Sequence, residues 1–517
     1  MEAYSCLLDM NFKQGISREQ ISMMSLEGFI SCDNPVRVID IFVEQLNLIE
    51  LGFTKTKLSR EGCPPFEARH LLKLYYYGYI NRIRSSRKLE AECERNVELW
   101  WLIYQLTPGY HTIADFRKDN AAAFKKAFKQ FVGFLKGEDL VNGKALTVDG
   151  TKIRAQNNKK NNFNESKFAK SLEYIDGKVE EYIKALEVSD VQEDKEAAAL
   201  KKRDVAKKLE ELKERKAYYT ELKETMDKSG EKQISMSDPD SRSLPLSDVA
   251  TAVCYNVQAV ADNKNSLIVD FDTINTGDQG QLNTMTIKAM ETLGVKETTI
   301  LADKGYHVGK DLHDCRKAGI TTVVAYPEKE NKNVAPAYQT SQFTYNKEDK
   351  TYTCPEGAIL TTNGKTYDKV KTGRTTYSVQ KYVTDQCLAC VARLLCTKGK
   401  SREIERSEYK DVVDENNKRV DENMPLYKTR QQIIEHPFGT IKRSWGYTYT
   451  LLKGIEKVNG EMAIIFTMYN IRRAMSIIGI KELIDRLKSR KAANKAKKSV
   501  LLRCFALSGT TDSAMAA

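Results

Sequence analysis

The chain has 517 residues, 41% of them hydrophobic and 29% charged, which is enough for about three domains with true cores. Its net charge of +12 and pI near 8.9 favour an anionic partner, most often nucleic acid, over a merely soluble basic protein. We find no run of about 18 apolar residues, which excludes a membrane-spanning helix, and the first residues predict no secretion signal. The 11 cysteines therefore predict thiols or metal ligands in a cytoplasmic chain.

Residues 1–137 predict a helical domain. Apolar side chains recur three or four positions apart from Leu71 to Tyr79, from Leu89 to Trp101 and from Phe116 to Leu135. Thr112–Asp115 resembles a capping box that would open the third helix. The other side of that helix carries the basic residues Arg117, Lys118, Lys125, Lys126 and Lys129. The pattern fits a helix-turn-helix-like DNA reader and a basic bundle that only packs equally well.

A strand is predicted over residues 145–154, since Leu146 and Val148 begin an alternation of apolar and polar side chains. Asp149 would project from this strand near a turn at Gly150. A carboxylate among apolar neighbours is costly unless something neutralises it, which makes Asp149 a candidate functional acid. An aspartate that only caps the turn is the alternative.

Residues 158–232 interrupt this pattern with two highly charged segments that carry apolar residues at heptad spacing. We predict an antiparallel helical hairpin inserted between the strand at 145–154 and the strands that follow. The hairpin would contact DNA or a second protomer, or it would be a solvated spacer.

A second acid follows a later strand. Thr298–Ala302 predicts a short buried strand that ends at Asp303. Ligands gather at the carboxyl ends of strands in open α/β sheets, so Asp303 is well placed for a metal ion, with turn capping again the alternative. The neighbouring predictions are strands at Val249–Val260, Leu267–Ile274 and Thr321–Tyr326, and helices at 278–294 and 309–318.

Residues 331–424 are polar and rich in turns, and they contain four cysteines. Cys387 and Cys390 have the spacing that lets two thiolates meet one tetrahedral zinc ion, with Cys354 and Cys396 as candidate partners. Reduced structural cysteines are the alternative.

A helix is predicted near the C-terminal end, over Arg430–Gly446, with Pro437 expected to kink it. Glu435 and Lys442 lie two turns apart on one face, with Arg443 beside them. A carboxylate with two bases suits metal-dependent phosphoryl transfer on DNA, whereas an ordinary solvated face is the alternative. A long helix (Glu461–Ile480) and a basic tail, which either binds DNA weakly or is disordered, follow.

The chain resembles the DDE transposases of bacterial insertion sequences, in particular the family numbered eleven-eighty-two. The resemblance covers about residues 35–475. Tyr427, Arg430, Glu435 and Lys442 fit a signature of related transposases, with one extra residue between Arg430 and Glu435. The motifs that carry the resemblance are Leu146–Lys152, Ala302–Tyr306, Glu435–Arg443, the helical segment Phe66–Arg117 and the cysteine-bearing insertion.

The resemblance implies an α/β fold with a ribonuclease-H-like catalytic core over residues 138–480. The helical hairpin at 158–232 and the cysteine-containing insertion at 331–424 would interrupt that core. Residues 1–137 would form a helical DNA-binding domain, and residues 481–517 a basic C-terminal tail.

The resemblance also implies a mechanism in which Asp149, Asp303 and Glu435 hold two Mg²⁺ or Mn²⁺ ions. Lys442 and Arg430 would position the phosphate. Further DNA contacts would come from Lys152, Arg154, Lys442 and Arg443.

The implied reactions nick double-stranded DNA at the transposon ends and join those ends to target DNA. A homodimer on DNA and a cytoplasmic, nucleoid-associated location in a bacterium follow from the same resemblance. A catalytically inactive remnant that only binds the ends is the alternative.

Overall fold

The computed structural model describes residues 17, 19–21, 23–54, 64–189, 195–246, 251–327, 333–370, 376–490 and 492. Most of the predicted basic tail, at 493–517, lies outside the described residues. The chain divides into two compact units. The first comprises Met1–Ile49, Thr54–Phe116 and Ala474–Ala517, and the second comprises Glu50–Phe53 and Arg117–Arg473. Every helix within the described ranges is too short or too polar to traverse a lipid bilayer.

Helices make up the first unit and flank the sheets of the second. They are α1 (Leu26–Phe29), α2 (Pro35–Glu44), α3 (Leu48–Leu51), α4 (Ala68–Ile80), α5 (Ser86–Arg95), α6 (Val97–Leu102), α7 (Tyr110–Asp119), α8 (Ala121–Gly137), α9 (Glu165–Ser189), α10 (Lys195–Ser229), α11 (Leu282–Leu293), α12 (Gly309–Lys317), α13 (Arg393–Cys396), α14 (Lys410–Glu422), α15 (Met424–Gly439) and α16 (Ile455–Ile478). Residues 481–490, which the sequence assigns to the tail, are also helical.

The strands form three separate sheets in the second unit. They are β1 (Ala145–Arg154), β2 (Asn162–Asn164), β3 (Gln233–Ser235), β4 (Arg242–Leu244), β5 (Ala252–Asp262), β6 (Leu267–Ile274), β7 (Thr298–Ala302), β8 (Ile320–Val324), β9 (Thr344–Asn346), β10 (Thr351–Thr353), β11 (Ile359–Val370), β12 (Thr376–Val383) and β13 (Ile404–Ser407). The α/β class predicted from the sequence is therefore confirmed.

The main sheet has the order β4-β5-β1-β7-β8, with β6 also paired to β5. Strand β1 lies in the middle, antiparallel to β5 and parallel to β7, so that Leu146 is opposite both Asp262 and Ile300. Strands β7 and β8 are parallel, and β5 and β6 are antiparallel. The predicted succession of three strands, a helix, a strand, a helix and a strand is confirmed.

The core of the first unit forms around α4, whose Tyr75, Tyr76 and Tyr79 are fully buried, as their spacing predicts. The second predicted helix is divided into α5 and α6 because the side chain of Asn96 accepts a hydrogen bond from the Glu98 amide and caps a new helix start. The predicted capping box is wrong, since α7 already begins at Tyr110.

The third predicted helix is interrupted at Asn120, and its second half, α8, belongs to the unit that contains the main sheet. Phe128 of α8 packs edge-on against Phe271 of β6, with ring centroids 5.0 Å apart. Lys125 lies 3.2 Å from a carboxylate oxygen of Asp272 and Lys129 lies 3.3 Å from one of Asp270. For this helix the structure therefore favours the packing alternative over a DNA reader, and the unit boundary falls at Phe116 rather than at residue 137.

The predicted hairpin is confirmed as α9 and α10. The two helices pack against each other beside a two-stranded sheet of β2 and β3. Its own small core is separate from the main sheet. The buried members of that core are Phe163, Phe168, Ile175, Tyr219, Met226 and Ile234.

The cysteine-containing insertion is more regular than its polar sequence predicts, because β9 to β13 form a five-stranded antiparallel sheet. The five-stranded sheet ends at Ser407, before the predicted end of the insertion at residue 424. Helix α14 lies against the main sheet, where the buried side chain of Asn416 hydrogen-bonds to both the amide and the carbonyl of Val324 on β8.

The helix that contains Glu435 continues past Pro437 to Gly439 and then widens into one π-helical turn, Thr440–Ser444. A proline has no amide proton to donate to the preceding turn, and such a lost bond weakens the regular helix. π-Helical turns inside helices often occur at functional sites. Trp445, which follows, is buried.

Candidate active site

Asp149 lies in the middle strand of the main sheet, with 27% of its side chain exposed. Its Oδ1 atom accepts a hydrogen bond from the Gly150 amide at 2.8 Å, and its Oδ2 atom lies 3.9 Å from Nη1 of Arg430. Burial and the negative charge of Asp303 raise the pKa of Asp149 to about 6, although the Gly150 amide and Arg430 act in the opposite direction. Strand β1 continues through Gly150 to Arg154, so the predicted turn at Gly150 is wrong.

Asp303 follows β7, the strand that lies parallel to β1. Its Oδ1 atom accepts a hydrogen bond from the Gly305 amide at 2.8 Å, so this aspartate caps a short 3₁₀ turn (Lys304–Tyr306). Asp303 therefore caps this turn, as the alternative expects, and its Oδ1 bond leaves the role of a metal ligand as a prediction. The same carboxylate is also close enough to raise the pKa of Asp149 by charge repulsion, so the two acids are neighbours.

Helix α15 presents Arg430 to Asp149 but presents Glu435 to solvent. The two residues are five positions apart, and at 3.6 residues per turn their side chains point in different directions. Glu435 accepts a hydrogen bond from Nε2 of Gln431 at 2.8 Å. The structure thus brings Arg430 to Asp149 and leaves Glu435 on the outer side of its helix.

The predicted DNA-contacting residues separate into two pairs. Lys152 and Lys442 both lie near the thiol of Cys254 on β5, since their positive charges act against the burial that raises the pKa of this cysteine to about 11. Arg154, at the end of β1, and Arg443, in the π-helical turn, are exposed. The first pair therefore lies at the sheet, and the second pair is open to a large ligand.

Sequence reasoning missed Asp278, which lies in the loop after β6 and four residues before α11 begins. Its Oδ1 atom accepts hydrogen bonds from the side-chain amides of Asn256 and Gln258, both at 2.8 Å, and its Oδ2 atom lies 3.4 Å from Nζ of Lys152. Its charge contributes to the raised pKa of Asp149. The sequence places Asp278 at a strand-to-helix junction, and this position was the available signal of a functional acid. Its bonding partners lie on β5 and β1, so the sequence alone does not reveal them.

The four candidate zinc ligands lie around one cavity of about 30 Å³. Burial and the neighbouring thiols of the other three raise the pKa of Cys396. However, no three His, Cys, Asp or Glu side chains in the described ranges are arranged to hold a metal ion. Cys354 and Cys396 pack against the core of the five-stranded sheet. Zinc is therefore not supported, and the structural-cysteine alternative agrees better with this packing.

The carboxylates of Asp149 and Asp303 are hard oxygen donors of the kind that Mg²⁺ and Mn²⁺ prefer. Asp149 has a raised pKa and a neighbouring acid, an arrangement that a bound cation would stabilise. The pair therefore fits a divalent cation, although no complete ligand set is assembled in the described residues.

Comparisons with known protein families indicate the class of protein. Residues 353–475 match the model described as Transposase DDE domain, and residues 24–119 match the Transposase domain (DUF772). The matches confirm the resemblance to insertion-sequence DDE transposases and indicate a transposase function in general; they do not identify the numbered family. Glu435 and Lys442 lie inside the first match, whereas Asp149 and Asp303 lie outside both. No curated protein and no solved structure gave a match.

Proposed function

We propose that the chain is an insertion-sequence transposase that binds the terminal inverted repeats of its element, cleaves DNA at the ends and joins them to target DNA. The observation that carries the proposal is the DDE-domain match over residues 353–475, in a chain whose Asp149 and Asp303 are neighbours on adjacent strands. Strands β6, β5 and β1 of the main sheet are antiparallel neighbours, and β7 and β8 then follow parallel to β1. This order supports a ribonuclease-H-like core.

Asp149, Asp303 and Glu435 are the proposed ligands of two Mg²⁺ or Mn²⁺ ions. When bound, such ions lower the pKa of an attacking water or 3′-hydroxyl and stabilise the leaving oxygen. Asp149 must be deprotonated to act as a ligand, and Arg430, at 3.9 Å, favours that form. Glu435 would have to turn inward from the exposed side of α15, and the adjoining π-helical turn is the element that we expect to permit this change.

The basic residues hold the DNA in this proposal. Lys442 and Arg430 position the phosphate to be cleaved, while Lys152, Arg154 and Arg443 bind flanking phosphates. No protein nucleophile is needed, because water and then a DNA 3′-hydroxyl attack the phosphorus. The partner is double-stranded DNA, and a homodimer on DNA would hold the two ends together. The excess positive charge of +12 supports a polyanionic partner.

A remnant that binds DNA without cleaving it is the second candidate. Its supporting observation is that Glu435 lies on the outer side of α15 and bonds to Gln431. A remnant need not keep three acids, which favours the active enzyme.

The test is strand cleavage of a labelled duplex that carries the DNA flanking the coding sequence, in Mg²⁺, Ca²⁺ or EDTA. We expect nicking in Mg²⁺ alone, and a loss of at least about a thousandfold in Asp149→Asn, Asp303→Asn and Glu435→Gln. All three variants should still bind the duplex. Binding without nicking by the unaltered chain in any metal would support the remnant, and near-normal nicking by one variant would remove that acid from the site.

A further inference from the structure

Asp278 is held by side chains of two strands, and the proposed mechanism gives it no role. Asn256 and Gln258, whose amide groups both donate to its Oδ1 atom, are fully buried. Buried amides are costly unless they are bonded, so two donors on one carboxylate fix that group firmly. The remaining oxygen, Oδ2, faces the ammonium group of Lys152 at 3.4 Å. Asp278 thus has a defined position and a defined charge partner.

The close approach of Asp278 to β1 depends on Gly150. A Cβ atom at this position would lie 2.2 Å from Oδ1 of Asp278 and 2.4 Å from Nε2 of Gln258. Both distances are far below van der Waals contact, so any side chain at residue 150 would displace the carboxylate. The glycine next to Asp149 therefore admits a second acid from another element.

The same network reaches the turn that carries Asp303. The hydroxyl of Tyr306 donates to Oε1 of Gln258 at 2.5 Å, and Tyr306 is fully buried. Tyr306 belongs to the 3₁₀ turn that Asp303 caps. Gln258 therefore donates to Asp278 and accepts from Tyr306, which links β1, β5 and the end of β7 through side chains.

We propose that Asp278 is a positioning residue of the active site, which holds Lys152 against the DNA phosphate and ties it, through Gln258 and Tyr306, to the turn that carries Asp303. This inference rests on the proposed function. Oδ1 of Asp278 already accepts two hydrogen bonds and Oδ2 faces an ammonium group, which favours a positioning role over that of a further metal ligand. Loss of the carboxylate charge would free Lys152 while the amide bonds to a neutral side chain could remain.

The test is a double-mutant cycle with Asp278→Asn and Lys152→Gln, measured as single-turnover nicking at saturating duplex over a range of Mg²⁺ concentrations. We expect each variant to lower the rate by about tenfold to a hundredfold, since small displacements of positioning groups have effects of this size. The double variant should be no more than about threefold slower than the slower single variant, because both changes remove the same interaction. The Mg²⁺ concentration for half-maximal rate should change by less than about twofold.

Asp139 and Lys264 provide the matched control, as an exposed ion pair at 2.8 Å near the other end of β5. Asp139→Asn should leave the nicking rate unchanged. If Asp278→Asn does not fold, as judged by thermal unfolding, Lys152→Gln and Tyr306→Phe test the two ends of the network, and each should slow nicking with the Mg²⁺ requirement unchanged.

Normal rates in the single variants, strictly multiplicative losses in the double variant, or a raised Mg²⁺ requirement would each overturn the positioning role. Failure of the unaltered chain to nick DNA in Mg²⁺ or Mn²⁺ would instead overturn the proposed function. The two failures are therefore distinct.

Discussion

At the scale of single residues, Asp149 makes stability depend on pH. Its pKa is raised to about 6, against 3.8 for an ordinary aspartate, so between these values the folded state binds more protons than the unfolded state. The stabilisation by the protonated form is complete below about pH 4 and is lost as pH rises through about 6. In metal-free buffer, Asp149→Asn should therefore increase the free energy of unfolding by about 1–3 kcal/mol at pH 8 and by little at pH 4.

Urea unfolding in EDTA at pH 4, 6 and 8 measures this difference. Asp139→Asn is the control of opposite sign, because a hydrogen bond from Lys264 lowers the pKa of Asp139. Its removal should cost stability equally at pH 6 and pH 8, and that cost should disappear only as the pH falls below the ordinary pKa of 3.8. A gain from Asp149→Asn that is equal at all three pH values would show that the effect is not one of protonation.

The residues of the candidate site differ in how far sequence could predict them. Asp149 and Asp303 follow from strand patterns, since parallel strands bring their ends to one region. Asp278 could not be predicted, because its partners Asn256 and Gln258 lie on a strand twenty residues away, and register decides which side chains meet. The orientation of Glu435 depends on helical phase, which one extra residue after Arg430 alters by about 100°.

At the scale of elements, periodicity predicted the hairpin and failed for the insertion. The hairpin carries apolar residues at heptad spacing over many turns, a signal that local sequence contains. The longest strand of the insertion, β11, is exposed along most of its length and rich in polar residues, so it gives no clear alternation. Helix α14 was missed for a related reason, because its buried face has only Val412 and Val420 as apolar residues, with the polar Asn416 between them.

The hairpin should lose stability independently of the main sheet, because its core is separate. Phe168 is fully buried in that core, and Phe168→Ala should reduce the local stability of α9 and α10 by about 3–5 kcal/mol. Tyr174, on the same helix but 60% exposed, provides a matched control in which Tyr174→Ala should change little. Amide hydrogen exchange should accelerate over residues 163–234 in the first variant and stay constant in β1 and β5. Equal acceleration in the sheet would contradict an independent hairpin.

At the scale of the whole molecule, neither compact unit is one continuous segment of the sequence. The first unit combines the N-terminal helices with residues after Ala474, including the buried Leu483 and Leu487 of the last helical segment. The sequence assigns those residues to a tail because lysines and arginines surround them. The transposase match at 24–119 ends close to Phe116, where the N-terminal part of the first unit also ends. Helix α8 therefore belongs to the second unit.

This assignment predicts how the chain responds to truncation. A chain of residues 117–473 retains α8, whereas a chain of residues 138–473 loses four fully or nearly fully buried side chains, Phe124, Phe128, Phe131 and Leu135. Each loss of a buried Phe or Leu side chain costs about 2–5 kcal/mol, so the four losses together are comparable to the roughly 5–15 kcal/mol that stabilises a whole domain.

We expect the 117–473 chain to unfold cooperatively in urea and the 138–473 chain to show no cooperative transition. Phe128→Ala in the full chain supplies the matched single change, because Phe128 packs on Phe271 of the sheet. It should lower the unfolding midpoint without abolishing the transition. Equal midpoints for the two truncated chains would place α8 outside the unit that contains the main sheet.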